Sequence, residues 1–248
     1  MIILKSPQEI DRMRVPCKAV AEVLKLLKGT IRPGITTLEL NAQAEREAAK
    51  LGAKTAFKGY GGYPYSLCCS VNDEVVHGMP SRRELIDGDV ISIDFGLVID
   101  GFYGDAALTI PVGSVSAAAS KLLTVTEESL YVAIKQAVAG NKLSDISHAV
   151  QAYVESRGFS VVRDFVGHGI GRSLHEGPQI PNYGPPGRGV KLKPGMVLAI
   201  EPMINELKPD VKVLEDGWTA VTVDGGLSAH FEHTVAITPN GPEILTMI

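Results

Sequence analysis

The chain has 248 residues, of which 45% are hydrophobic and 21% are charged, and its formal net charge is −4. This composition is typical of a globular protein with a sizeable core, and the acidic balance argues against DNA or an anionic membrane as the main partner. The charged N-terminal segment lacks the apolar stretch of a signal peptide, no run is apolar enough to predict a membrane span, and the three cysteines suggest no disulfide framework, so we expect a cytoplasmic protein.

The N-terminal part predicts two capped helices. Capping boxes, in which Ser or Thr precedes Glu by three residues, occur at Ser6/Glu9 and at Thr36/Glu39. With Pro7 at the first helical position, the first box predicts a helix from residue 7 to about residue 28, and the second predicts a helix that ends at Lys50. The glycine- and tyrosine-rich stretch KGYGGYPYS that follows is typical of a loop or irregular strand.

The middle of the chain predicts strands, followed by two more helices. SLCCSV is apolar enough for a strand, and DVISIDFGLVID with GFYGDAALTI predicts two strands joined by a tight turn. Helices are predicted over 116–138 and over 144–157, the second closing on Gly158. Beyond them the sequence predicts mostly short strands separated by Gly and Pro turns.

An internal repeat underlies these elements. The corresponding segments are 32–52 with 138–158, and 87–95 with 194–202. Asp94 and Glu201, 107 residues apart, occupy equivalent positions in the second pair of segments. The repeat predicts one domain over 1–248, built from two similar α/β halves, roughly 1–110 and 111–248, related by a pseudo-two-fold axis. The two acids should then meet near that axis.

Two aspartates stand inside the predicted hairpin, in otherwise apolar strands. If the turn is 98–101, Asp94 lies directly opposite Asp105, and directly opposed Cβ atoms are about 4.5–5.5 Å apart. Carboxylates that close repel each other, so one must be protonated or a cation must lie between them. Alternatively, the turn has another register and both acids face solvent.

Two more acids and a histidine extend this pattern. Glu201 lies in the apolar run VLAIEPMI, and Glu232 lies in AHFEHTVAIT, a predicted strand whose alternation puts it on one face with His230 and Thr234. His168 lies in the glycine-rich segment FVGHGIG. Considered alone, a glutamate in a strand is more often solvated, and a histidine in such a segment more often has a structural role. Together, four carboxylates balance two divalent cations and one imidazole completes the set, which predicts a two-metal hydrolytic site without thiolate ligands.

In combination the motifs resemble the pita-bread metallopeptidases, and among them the type I methionine aminopeptidases of the short bacterial kind. The motifs are a D-x10-D hairpin, NDEVVHGMP, GHGIG, SLHEGP, KPGMVLAIEPM, DGW and HFEHT, and the likeness extends over nearly the whole chain. The resemblance implies an α+β fold of the pita-bread (creatinase/aminopeptidase) type, with two pseudo-symmetric α/β halves around a mostly antiparallel curved sheet.

The resemblance also implies an activity and its cofactors. The activity is removal of the N-terminal initiator methionine from nascent proteins and peptides with a small second residue, by amide hydrolysis assisted by two divalent ions (Co, Mn, Fe or Zn). The positions that match the family's metal ligands are Asp94, Asp105, His168, Glu201 and Glu232. Glu201 also matches the general base, His77 matches the histidine that contacts the scissile amide nitrogen, and His175 matches the one that holds the substrate carbonyl. The partner implied is a nascent polypeptide N-terminus, with a transient ribosome contact, for a monomeric enzyme.

The resemblance further implies a pocket for the methionine side chain. Its matching positions are Tyr60, Tyr63, Cys68 and Trp218, with Phe57 and Leu174 beside them. Leu174 departs from the aromatic residue expected in SLHEGP, which bears on the shape of the pocket and not on the chemistry. Each of three residues also has a purely structural interpretation when it is considered alone. His77 could simply end a strand, His175 could make a loop contact, and Trp218 could pack in the core.

Two other functions fit part of the pattern. Enzymes that cut Xaa-Pro bonds, such as prolidase and aminopeptidase P, resemble this chain but carry a large extra N-terminal domain, whereas only about 85 residues precede the hairpin here. A relative that binds peptides without catalysis would be expected to lose ligands, yet all five ligand positions and both histidines are present. The basic stretch GPPGRGVKLKPG is typical of a solvated loop, and its three charges do not establish contact with RNA.

Overall fold

The computed structural model describes residues 2–247. Within that range the chain forms four α-helices and fifteen β-strands. The helices are α1 (Pro7–Thr30), α2 (Thr37–Lys50), α3 (Ala117–Ile134) and α4 (Leu143–Glu155). The strands are β1 (Lys54–Thr55), β2 (Cys68–Val71), β3 (Glu74–Val76), β4 (Val90–Ile99), β5 (Phe102–Pro111), β6 (Ser160–Val161), β7 (Gly167–Gly169), β8 (Glu176–Ile180), β9 (Val197–Ile200), β10 (Met203–Asn205), β11 (Val211–Val213), β12 (Ala220–Thr222), β13 (Ser228–His230), β14 (Glu232–Thr238) and β15 (Gly241–Ile244).

The helix termini follow the capping signals closely. Both predicted capping boxes form, because the Ser6 and Thr36 side chains accept from the third helical amide while the Glu side chain there accepts from the capping residue. Helix α3 ends at Ile134, four residues before the predicted end, because the Gln136 and Ala137 amides bond carbonyls three residues back and close the helix with a tighter turn. No helix in the described part combines the length and apolar character needed to cross a bilayer.

A large antiparallel sheet positions the functional residues. Its strand order is β1-β4-β5-β14-β9-β7-β8, with β2 also paired to β4 and β15 also paired to β14. Two three-stranded sheets, β13-β10-β6 and β11-β12-β3, lie beside it. The β5–β14 pairing joins residues 106–107 to residues 232–233, which belong to the first and second predicted halves, and the division of the chain into two halves stays a prediction.

Side-chain alternation gives the large sheet one apolar and one functional face. In β4, Ile91, Ile93 and Phe95 are fully buried in a core that also contains residues of all four helices. The side chain of the intervening Asp94 points the other way, toward the cavity described below. Burial of the apolar face fixes the register, because a slip of one residue would exchange the two faces.

The β4–β5 hairpin differs in register from the prediction. Asp100 and Gly101 both have positive φ, 50° and 74°, so they form a two-residue turn of the kind that Asp-Gly favours. The resulting pairs are Asp94 with Ala107 and Gly96 with Asp105. The prediction that Asp94 and Asp105 are directly opposed was therefore wrong. The shift is two residues, so both acids still share one face, as diagonal neighbours.

The predicted C-terminal strand is also interrupted. Strand β13 ends at His230 and pairs with β10, whereas β14 begins at Glu232 and pairs with β9. The break at Phe231 lies opposite the break between β9 and β10, where Pro202 has no amide to donate and its carbonyl accepts from the Phe231 amide at 3.3 Å. The continuous strand expected from AHFEHTVAIT was therefore wrong, but both His230 and Glu232 remain buried.

Candidate metal centre and substrate cavity

One cavity brings together every side chain singled out from the sequence. Its volume is about 140 Å³, the space of roughly five water molecules. The thirteen lining residues are Phe57, Tyr60, Tyr63, Cys68, His77, Asp94, Asp105, His168, Leu174, His175, Glu201, Trp218 and Glu232. The structure thus places the predicted ligands, the two predicted catalytic histidines and the predicted pocket residues around a single space.

The acidic floor of the cavity is built from five adjacent strands. The contributors are Asp94 on β4, Asp105 on β5, Glu232 on β14, Glu201 at the end of β9 and His168 on β7. Because these strands are neighbours in the sheet, residues far apart in sequence lie side by side. Asp105, His168 and Glu232 each offer a ligand atom within 4.8 Å of the others.

His168 has the orientation of a metal-binding imidazole. Its Nδ1 lies 2.9 Å from the Gly169 carbonyl, to which it donates when it carries the proton, and its Nε2 then presents a lone pair to the site. Nε2 lies 3.5 Å from Oε1 of Glu201. Burial lowers the pKa of His168 to about 3, so the ring is neutral at neutral pH.

The floor contains carboxylate oxygens that lack partners. Among the described residues, no hydrogen bond reaches the buried Oδ1 atoms of Asp94 and Asp105 or the buried Oε1 of Glu232. Buried carboxylate oxygens are costly without a donor or a cation. Carboxylates with one imidazole are a donor set that suits Mn, Fe, Co or Zn. The residues therefore fit a divalent metal.

The raised pKa values of the acids in the floor also indicate a site for a cation. Burial raises the pKa of Asp94 to about 7, despite the opposing influence of His230. Burial also raises the pKa values of Asp105, Glu201 and Glu232 well above their usual range, with further contributions from neighbouring carboxylates at Asp105 and Glu232. Protons occupy these groups until a cation displaces them, so metal binding should release protons.

Glycine and threonine residues make room for the floor and support it. A Cβ on Gly96, opposite Asp105, would lie 2.9 Å from the Phe57 ring and 3.3 Å from Oδ1 of Asp105. On the other side of Asp105, the Thr234 hydroxyl donates to its carbonyl at 2.7 Å and accepts from its amide at 3.2 Å. The aspartate is thereby held by its backbone, which leaves the carboxylate free to bind a cation.

His77 directly follows β3, so the interpretation of this histidine as a strand-end residue was correct. Its side chain also lines the cavity. Its φ is +59°, a left-handed conformation that costs a non-glycine residue about 1–3 kcal/mol and is typical of functional sites. The ring stands edge-on to Phe165 at 5.4 Å and to Trp218 at 6.3 Å between centroids. Burial lowers the pKa of His77 to about 4, which keeps the ring neutral.

His175 lies at the mouth of the cavity, and its ring is 4.3 Å from that of His168 between centroids. Its Nδ1 is 2.6 Å from the Tyr60 hydroxyl. When Tyr60 donates this bond, the neutral imidazole carries its proton on Nε2, which can then donate to a bound carbonyl. Partial burial lowers the pKa of His175 and favours this neutral state.

The opposite wall is apolar and internally satisfied. Tyr63 stands edge-on to Trp218, 5.2 Å between centroids, and its hydroxyl donates toward the carbonyls of Leu67 (3.2 Å) and Gly78 (3.0 Å). Leu174 is 2% exposed, and Trp218 is half-buried at the cavity edge and not enclosed in the core. The wall offers contact surface for an apolar side chain, and none of the buried nitrogen or oxygen atoms left without a partner in the described part of the chain belongs to it.

One residue of the site had no predicted role. His230 is 2% exposed, and its Nε2 lies 3.6 Å from Oε2 of Glu201 with no hydrogen-bond partner in the described part of the chain. The strand alternation had placed His230 on the face of Glu232. That pattern was the available signal, but the resemblance to known enzymes assigned no function to this position.

A family comparison identifies the class of protein that this site belongs to. Residues 11–239 match the model of metallopeptidase family M24, and the chain belongs to that family. It is 59% identical to a methionine aminopeptidase of Clostridium perfringens over all 248 residues, covering both proteins completely. The crystal structure of methionine aminopeptidase from Thermotoga maritima matches it with a TM-score of 0.98 at 53% identity, again over the whole of both chains.

A more distant structure bears on the fold alone. Prolidase from Pyrococcus furiosus is 24% identical and matches with a TM-score of 0.82, over 99% of this chain and 66% of that one. Likeness to both the aminopeptidase and the prolidase confirms the predicted α+β pita-bread fold. The metallopeptidase class and the resemblance from which it was predicted are confirmed as well.

Proposed function

We propose that this chain removes the N-terminal methionine from nascent proteins and peptides whose second residue is small. The observation that carries the proposal is the cavity itself, where a floor of unpartnered carboxylates and a histidine adjoins an apolar wall. The full-length identity to a methionine aminopeptidase supports this choice over the Xaa-Pro enzymes, because the likeness to prolidase is limited to the fold.

Two divalent ions are the proposed cofactor. Asp94, Asp105, His168, Glu201 and Glu232 would hold them. Four carboxylates carry the charge that two such ions balance, and Co, Mn, Fe and Zn all accept this donor set. When bound, the ions supply a Lewis acid that polarises the scissile carbonyl and lowers the pKa of a water at the site.

The proposed roles of the protein groups are those that the family resemblance implies, and the positions of the groups in the cavity support them. Glu201 accepts a proton from the attacking water and returns it to the leaving amine, for which its carboxylate is placed on the floor beside His168. His175 donates from Nε2 to the substrate carbonyl and stabilises the charge that develops there. His77, neutral and fixed by its aromatic neighbours, contacts the scissile amide nitrogen.

The apolar wall is the proposed methionine pocket. Phe57, Tyr63, Cys68, Leu174 and Trp218 line it, with Tyr60 at the mouth. Burial raises the pKa of Cys68 well above its usual value, so the thiol is neutral and contributes apolar contact surface. With Leu174 where an aromatic was expected, the pocket takes an unbranched side chain against an aliphatic surface on that side.

The substrate source and compartment belong to the same proposal. The substrate is the N-terminus of a nascent polypeptide, reached by a monomeric enzyme in the cytoplasm through a transient ribosome contact. Three buried cysteines, all unpaired, support a reducing compartment: Cys17, Cys68 and Cys69. A net charge of −4 argues against DNA as a partner.

The proposal is tested by peptide hydrolysis. Metal-stripped protein is assayed for free methionine from Met-Ala-Ser, with Mn, Co, Fe or Zn restored in turn, beside Met-Lys-Ser and Ala-Pro-Ala. We expect metal-dependent cleavage of Met-Ala-Ser alone. Cleavage of Ala-Pro-Ala would assign the chain to the Xaa-Pro enzymes, and inactivity on all three peptides with every metal would indicate a peptide-binding protein without catalysis.

A further inference from the structure

A buried ion pair joins the N-terminal arm, defined here as residues 2–6, to the segment that carries His175. Lys5 is only 6% exposed, and its Nζ lies 2.5 Å from Oε2 of Glu176, with side chains that are 3% and 5% exposed. By contrast, the pair between Arg14 and Glu243 has side chains that are 43% and 38% exposed. A buried pair is held far more tightly to its geometry than an exposed one, because breaking it leaves an uncompensated charge.

Glu176 is the residue after His175, and its second oxygen organises the turn before it. Oε1 accepts from the amide of Arg172 at 2.8 Å and from the amide of Ser173 at 3.3 Å. One carboxylate therefore fixes the backbone immediately before His175 while it is itself fixed by Lys5. The loop 171–175 has no helix or strand of its own to hold it.

The arm is anchored on both sides of this ion pair. The Lys5 amide donates to the Gly195 carbonyl at 2.7 Å, and Ile2 forms a parallel bridge with Gly177. The Lys5 side chain passes so close to Gly171 that a Cβ there would lie 2.3 Å from its Cε. Lys5 therefore packs closely against the loop, and its backbone contacts hold it in place independently of the ion pair.

We propose that Lys5 is a positioning residue for His175. Through Glu176 it holds the loop in the conformation that aims the imidazole at the cavity, although Lys5 itself does not line that cavity. This inference rests on the proposed role of His175 as the group that stabilises the substrate carbonyl. Misplacement of a catalytic group by about 1 Å can cost roughly a hundredfold in rate, so loss of Lys5 should act on kcat.

The test is a double-mutant cycle on the metal-loaded enzyme with Met-Ala-Ser as substrate. The proteins are the wild type, Lys5→Met, His175→Ala and the double variant, with kcat and KM measured separately for each. Thermal unfolding and circular dichroism report whether each variant is folded. Arg14→Met is the matched control, since it removes an exposed ion pair, the one between Arg14 on α1 and Glu243 on β15.

We expect Lys5→Met to lower kcat about ten- to a hundredfold with KM changed less than about threefold. In the His175→Ala background the same substitution should change kcat less than about twofold, because residues that act through one another are not additive. Arg14→Met should leave kcat unchanged. If Lys5→Met does not fold, Glu176→Gln replaces it, because the amide oxygen still accepts from the loop while the charge partner is lost.

An equal fold-loss in both backgrounds would overturn the inference, since it would mean that Lys5 acts independently of His175. An unchanged kcat in Lys5→Met would overturn it as well. If His175→Ala itself kept the wild-type kcat, the proposed role of His175 would fail and the inference with it. These outcomes are separate, because a slow His175→Ala enzyme with an unaffected Lys5→Met enzyme rejects only the role of Lys5.

Discussion

The two sides of the cavity differ in how completely their polar atoms are satisfied. On the floor, the oxygens of Asp94, Asp105 and Glu232 are buried without partners among the described residues. On the wall, the hydroxyl of Tyr63 reaches two carbonyls, and Leu174 is enclosed by apolar neighbours. The same sheet and its adjoining loops supply both, so the difference is one of chemistry and not of fold.

This difference separates the reaction from the choice of substrate. Unsatisfied buried acids raise the free energy of the folded protein until a cation binds, which makes the floor a site for chemistry. An apolar wall whose buried polar atoms are already hydrogen-bonded gains from burying an apolar side chain. Changes to the floor should therefore act on kcat and metal binding, and changes to the wall should act on substrate selection.

The largest expected effect is on the floor, from Glu201→Gln. The amide keeps the shape of the side chain but cannot accept a proton, so kcat should fall about 10²- to 10⁴-fold. The far-ultraviolet spectrum and the melting temperature should show a folded protein. Steady-state hydrolysis of Met-Ala-Ser measures the effect, and a rate within about threefold of the wild type would remove Glu201 from the role of general base.

On the wall, Trp218→Ala should weaken the preference for substrates that begin with methionine. The indole covers one side of the proposed pocket and supports Tyr63, so its loss should lower kcat/KM for Met-Ala-Ser about ten- to a hundredfold, mostly through KM. Comparison with a peptide that begins with Ala checks the reason, since the preference for methionine should shrink. A fall in kcat with KM unchanged would place Trp218 with the reaction and break the contrast between the two sides.

Without metal, the floor should make stability depend on pH. At about pH 7 and at about pH 8.5 the carboxyl groups of the unfolded chain have lost their protons, whereas the raised pKa values of Asp105, Glu201 and Glu232 favour the protonated acids in the folded protein. The free energy of unfolding should therefore fall as pH rises, lowering the melting temperature by roughly 5 °C or more.

Bound metal should abolish that trend, because a cation replaces the protons. Differential scanning fluorimetry of chelator-treated and Mn-saturated protein at the two pH values provides the measurement. Asp216, an exposed acid whose pKa is lowered by bonds from Thr219 and Trp218, should contribute no such effect, so Asp216→Asn serves as the control. A metal-free protein that is equally stable at both pH values would contradict the assignment of the floor.

The smallest effect is expected where floor and wall meet, at Tyr60→Phe. The variant keeps the ring at the mouth but loses the 2.6 Å contact with Nδ1 of His175. One hydrogen bond is worth about 0.5–1.5 kcal/mol, so kcat should fall roughly two- to tenfold with little change in KM. Tyr65→Phe is a suitable control because Tyr65 is close by but does not line the cavity. An equal loss in both variants would mean that Tyr60 does not orient His175.

Much of the floor could be predicted from sequence because charge inside apolar strands is a strong local signal. Asp94, Asp105, Glu201 and Glu232 were each recognisable by the cost of burying them, and the structure brings them together. The pairing of the two aspartates was misjudged by two residues, because the Asp100-Gly101 turn sets the register. The prediction that both acids lie on one face of the sheet remained correct, because a shift of two residues does not change the face.

What could not be predicted depends on contacts between distant segments. The break at Phe231 is visible only when β10 is seen to pair with β13, and His230 faces Glu201 only in the folded sheet. The pairing of Lys5 with Glu176 joins residues that are 171 apart in sequence. Periodicity and motif spacing carry no signal for such a pair, because both residue types are ordinarily solvated.

The most direct test of the central claim is calorimetric titration of Mn²⁺ into the metal-stripped protein, compared with Asp105→Asn and with the control Asp216→Asn. The account predicts saturable binding of at least one ion per chain, with protons released on binding. Asp105→Asn should weaken binding by at least about tenfold, whereas Asp216→Asn should leave it unchanged. Absence of binding to the wild type, or equal binding by Asp105→Asn, would contradict the assignment of the acidic floor as a metal centre.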